Sequence, residues 1–157
     1  MTVYLGLKYL HVLGAAVLLG TGAGIAFFML LAHLRGEPAL IAGVARIVVI
    51  ADFAFTATAV FAQPITGLLL ARSAGFSLWD GWILWSVVLY IITGVFWLPV
   101  VWMQMHMRDL AVGAVREGQA LPQRYHRIFR MWVAFGFPAF GAILAILWLM
   151  IAKPQIN

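Results

Sequence analysis

Four long apolar runs, separated by short stretches of turn-forming and charged residues, dominate this sequence. A helix crosses a bilayer with about 20 mostly apolar residues, and each run exceeds that length. The first covers roughly 4–34, the second 39–72, the third 79–114 and the fourth 128–152. Runs of this kind are buried in lipid as helices, because only internal hydrogen bonding satisfies the backbone there. Composition supports this reading. Of 157 residues, 65% are hydrophobic and 10% charged, whereas a soluble domain carries about a quarter charged residues.

The expected fold is therefore all-α: a single integral membrane domain, a four-transmembrane-helix bundle in up-down-up-down order. Its short connections force consecutive helices to be antiparallel neighbours. Arg35-Gly36-Glu37-Pro38 separates the first two spans, with Pro38 placed to start a helix. Ser73-Ala74-Gly75-Phe76-Ser77 forms the second turn, and a third loop from Val115 to about Tyr125 contains Gly118 and Pro122. Lys8 interrupts the first run and no small-residue cleavage site follows it, so a retained helix is expected rather than a signal peptide.

The charges predict orientation. Arg35, Arg46, Arg108, Arg116, Arg124, Arg127 and Arg130 flank the first and third loops, against Lys8, Arg72 and Lys153 at the opposite side. The positive-inside rule then places both termini outside, in a bacterial cytoplasmic (inner) membrane. The net charge of +5 thus reads as a topology signal. The lipid bilayer is the expected partner, and nucleic acid is not. Trp79, Trp82 and Trp85 read as an interfacial belt at the start of the third span.

Several chemistries lack their residues. With no cysteine there is no disulfide, thiolate metal site or thiol nucleophile. No phosphate loop, no zinc-protease motif and no serine with His and acid at matching depth occurs. The spans carry no inverted repeat of the transporter kind.

Polar groups inside the runs are the functional candidates, because an ionisable residue at the helix centre costs about 2.5–3.5 kcal/mol on insertion scales. Asp52 lies near the middle of the second run. Asp52, Phe55, Thr56, Ala59, Gln63 and Thr66 share one face by helical spacing and are expected to point into the bundle. Asp52 reads as a proton-relay carboxyl, with Thr56 beside it as the catalytic pair, as a partner for a buried cation, or as a helix–helix hydrogen bond made by a protonated Asp. Lys8 and His11 share a face of the first helix and reach the depth of Gln63 and Thr66, which predicts a polar cluster. A neutral imidazole there is a possible iron or other metal ligand. Gly14, Gly20 and Gly24 allow close helix approach or leave room for a flat ligand. Pro64, Pro99 and Pro138 are expected to kink their helices. At the other side, Gln104, His106, Arg108, His33, His126, Arg127 and Arg130 read as a basic pocket or a positive collar, and His33 with His106 as a remote bis-histidine pair.

Tyr4-Leu5-x-Leu7-Lys8-x-Leu10-His11-Val12-Leu13-Gly14 and Gly20-Thr21-Gly22 resemble the opening of a family of uncharacterised bacterial four-helix integral membrane proteins. The resemblance continues through Asp52-x2-Phe55-Thr56, Gln63-x2-Thr66-Gly67, Trp97-Leu98-Pro99-Val100-Val101-x2-Gln104 and Arg108-Asp109-Leu110. Leu7-Lys8-x-Leu10-His11 and Ala152-Lys153-Pro154 are more distantly similar to HemJ-type protoporphyrinogen oxidases. The four-helix layout is shared with them and with the CopD-type membrane domain. That second resemblance implies haem b, with His11 as axial ligand. Lys8, Gly14 and Gln63 would line the cofactor site, and Asp52 with Thr56 would handle a coupled proton. The alternative is a non-catalytic membrane subunit or assembly partner, in a homodimer or with another membrane protein. A third reading, solute permeation through an oligomer, rests on the Asp52 face alone.

Overall fold

Each apolar run forms a helix that extends past its hydrophobic stretch at one or both ends. The computed structural model describes residues 2–155. Helix α1 covers Thr2–Arg35, α2 Pro38–Ala51, α3 Ala57–Ser73, α4 Gly81–Glu117 and α5 Gln123–Ala152. A π-helical turn, Asp52–Thr56, joins α2 to α3, so Pro38–Ser73 is one continuous span and four helices are long and apolar enough to cross a membrane.

The helix ends follow local chemistry. Pro38 occupies the first turn of α2, where its missing N–H costs nothing. Gly118, at φ 63°, closes α4 in the left-handed conformation, and extended Pro122 launches α5. Several boundaries differ from the expected ones, most in the last two helices, the third ending at Glu117 rather than 114. The third helix begins at Gly81, not 79, and Trp79 stands 82% exposed in the preceding turn. The fourth begins at Gln123, not 128, because its first turn of charged residues is helical though not apolar.

The π turn also corrects the expected inward face. A turn closed by i→i+5 bonds is wider than an α turn. Residue i+4 then stays aligned with residue i while i+3 swings away. Asp52 and Thr56 are buried, as are Ala59 and Gln63, whereas Phe55 is 57% exposed and faces lipid.

The two ends of the bundle differ in packing. We call the end carrying the α1–α2 and α4–α5 loops the arginine-rich end, and the other the terminal end. At the arginine-rich end a continuous core joins Ile25, Met29 and Ala32 of α1, Ile41 and Ala45 of α2, Met103 and Met107 of α4, and Tyr125, Phe129 and Trp132 of α5. Met29, Ile41, Met107 and Tyr125 are fully buried. Towards the terminal end, α1 stays with α3 and α4 stays with α5. The two pairs separate, and the buried residues there are few and mostly small, such as Ala59, Ser86, Ala139 and Ala142.

Candidate functional site

The separation of the two helix pairs leaves a cavity of about 500 Å³, within the usual range of about 300–1,000 Å³ for small-molecule sites. Its walls come from all four spans and are almost wholly apolar. It runs along α1 from Ala15 to Leu30 and along α5 from Trp132 to Leu147. Leu30 and Phe137 line it and are themselves 44% and 74% exposed, so its mouth opens between α1 and α5 towards the bilayer. Gly22, Gly94 and Gly136 contribute bare backbone to its wall, and a Cβ at any of them would meet nothing within 4 Å.

The polar groups of the cavity converge where it meets the packed core. Asp52 is 3% exposed, and its carboxyl has Thr56, Trp97 and Gln104 as polar neighbours. Asp52 and Thr56 come from the π turn, Trp97 and Gln104 from α4. Asp52 Oδ2, Thr56 Oγ1, Trp97 Nε1 and Gln104 Oε1 face one another without closing a well-formed hydrogen bond, and Trp132 Nε1 on the facing wall is buried without a partner. A buried polar group left unpaired costs about 1–3 kcal/mol. Five such atoms line one apolar cavity: two indole N–H donors, an amide acceptor, and a hydroxyl and carboxyl that serve either way.

Tyr90 ties the two helix pairs together. Pro64 has no N–H, so the carbonyl of Val60, four residues earlier, lacks its helical donor. The Tyr90 hydroxyl donates to that carbonyl and lines the cavity. In the sequence Pro64 shows as a kink, without the partner that its freed carbonyl takes. The carbonyl four residues before a membrane proline is the signal that points to such a partner.

The expected cluster at the depth of His11 forms in part. Gln63 Nε2 donates to the His11 carbonyl at 2.8 Å, and His11 Nδ1 lies 3.0 Å from Thr66 Oγ1. The Thr66 hydroxyl donates to the Ala62 carbonyl at 2.8 Å. Two glycines make this fit. The Gln63 amide occupies the place a Cβ on Gly14 would take, and a Cβ on Gly67 would lie 3.0 Å from His11 Cε1. Lys8 is exposed, and no hydrogen bond or ion pair involves it among the described residues. Of Lys8, His11, Gly14 and Gln63, Gln63 alone lines the cavity.

The basic groups at the arginine-rich end disperse. Gln104 belongs to the Asp52 cluster. His106 bonds the Trp102 carbonyl at 2.9 Å, and Arg108 pairs with Asp109 at 2.8 Å. His33 stacks on Phe129 with ring centroids 3.6 Å apart and meets His126 edge-on, so it is not paired with His106. Met103 and Met107 share a buried face while Met105 does not. At the terminal end, Lys153 lies over the rings of Phe76 and Trp82. Among the described residues, no three His, Asp or Glu side chains gather as a metal site.

Fold and site together define a four-helix integral membrane protein with a lipid-facing cavity floored by a buried carboxyl. The chain belongs to the family described as predicted integral membrane protein (DUF2269), whose profile matches residues 5–154. No curated protein matches the chain, and no solved structure does.

Proposed function

We propose that this protein binds an amphipathic lipophile drawn from the bilayer, with the ligand's head at Asp52 and its tail along α1 and α5. The observation that carries the reading is the set of five unpaired buried polar atoms facing one apolar cavity. Two indole N–H groups need an acceptor and Gln104 Oε1 needs a donor. A ring bearing carbonyl and hydroxyl oxygens, the quinone and quinol class, meets both needs. Asp52 then exchanges a proton with the hydroxyl of the head, with the Thr56 hydroxyl beside it. The arginine distribution supports an inner-membrane location with both termini outside.

The haem b expectation draws less support. A macrocycle on His11 needs room at Gly14, and that room is filled by the Gln63 amide. His11 itself faces Thr66 and Gly67 rather than the cavity. A visible spectrum of protein from haem-replete cells tests the haem expectation independently.

The test of the quinone reading is a titration of the purified protein with decyl-benzoquinone, following tryptophan fluorescence. Trp97 and Trp132 flank the proposed head, so quenching is expected to saturate at one equivalent. Gln104→Leu or Asp52→Asn is expected to weaken binding roughly tenfold, the loss of one buried hydrogen bond of about 1.4 kcal/mol. Quenching that rises without saturation, equally in every variant, would show partition into detergent and end the proposal. The chain would then return to the role of a subunit without a ligand, and co-purifying membrane partners would be sought.

A further inference from the structure

A second site lies at the arginine-rich end, remote from the cavity. Arg46 stands eight residues beyond Pro38, so about 12 Å along α2 at 1.5 Å per residue. It is exposed within a membrane span, and no carboxylate pairs with it among the described residues. Its groove, about 390 Å³, lies between α2 and α4 and is shared with Arg116. Small side chains open that groove: Ala39, Ala42 and Gly43 on one wall face Val112 and Val115 on the other. Arg116 has only its chain neighbour Glu117, at 4.0 Å. Arg46 and Arg116 both line this groove, so an anion seated in it meets two guanidinium groups. Guanidinium forks match phosphate oxygens, and basic pockets between membrane helices take anionic headgroups.

We propose that the Arg46–Arg116 groove is a binding site for the phosphate of an anionic phospholipid, whose glycerol and first methylenes lie against Ala42, Gly43 and Val112. The site is a positive-charge device distinct from the collar of Arg124, Arg127 and Arg130, none of which lines the groove.

The test is native mass spectrometry of the full chain, with dioleoyl phosphatidylglycerol, dioleoyl phosphatidylcholine or inorganic phosphate added to the detergent solution. Wild type is expected to retain one phosphatidylglycerol at least fivefold more than phosphatidylcholine. Arg46→Gln and Arg116→Gln are each expected to lose that preference, Arg46→Lys to keep part of it, and Arg124→Gln to keep all of it. Thermal midpoints of the same variants, measured without lipid, confirm that each is folded. Equal retention in Arg46→Gln and wild type, or equal loss in Arg124→Gln, would overturn the proposal. Retention of inorganic phosphate with no preference for the lipid would overturn the lipid as its source.

Discussion

The two halves of this bundle are built from the same four helices and do opposite things. At the arginine-rich end, long and branched side chains from every span interlock around Met29, Ile41, Met107 and Tyr125. At the terminal end the same helices carry glycine, alanine and serine where a core would need bulk, and two helix pairs part around a cavity. Asp52 and its neighbours lie at the junction. In lipid there is little hydrophobic drive to bring helices together, so packing and hydrogen bonds decide which contacts persist. The packed half holds the helices. The open half leaves a cavity, joined across its gap by Tyr90 and stitched on one side by Gln63.

This contrast predicts a graded response to mutation. The largest effect belongs to the packed half. Met107→Ala removes a side chain with no exposure and is expected to cost about 2–5 kcal/mol, seen as a large fall in the thermal midpoint in detergent. The α1–α3 seam comes next. Gly14→Val drives a side chain into the Gln63 amide, breaking the bond to the His11 carbonyl. About 1–2 kcal/mol is expected, near the upper values for such bonds in membranes. Gly14→Val combined with Gln63→Ala should recover part of that loss. Tyr90→Phe deletes the donor to Val60 and is expected to cost about 0.6 kcal/mol. Hydrogen exchange around Val60–Pro64 should rise with it. The smallest effect on stability belongs to the cavity wall. Gly94→Leu starts a side chain into space where its Cβ meets nothing within 4 Å, and is expected to change the midpoint less than Tyr90→Phe does, yet abolish decyl-benzoquinone binding. A fall in stability there comparable with that of Met107→Ala would erase the contrast between the halves.

Most of the fold is legible in the sequence, because hydropathy, breakers and arginine placement depend on chain-local chemistry. Pro38 and Gly118 announce their helix ends, and the burial of Asp52, Thr56 and Gln63 follows from the expense of polar groups in lipid. The rest depends on three-dimensional arrangement. Nothing in Asp52-Phe53-Ala54-Phe55-Thr56 marks a π turn, so α spacing wrongly carries Phe55 inward. Trp97 stands out in the sequence only as part of the motif that ends at Gln104, and Trp132 not at all; their indole donors acquire meaning only when α4 and α5 bring them to one cavity. The dispersal of His33 and His106 likewise reflects helix rotation, which hydropathy does not encode.

The measurement that tests the central claim most directly is photolabelling with a benzoquinone whose alkyl tail carries a diazirine, followed by peptide mapping. The account predicts adducts on the cavity stretches of α1 and α5, among them Ala26, Leu30, Phe137 and Phe140, competed by decyl-benzoquinone and lost in Gly94→Leu. Adducts on outward faces such as Ile47 and Phe61, 68% and 71% exposed, unaffected by competitor or by Gly94→Leu, would contradict it.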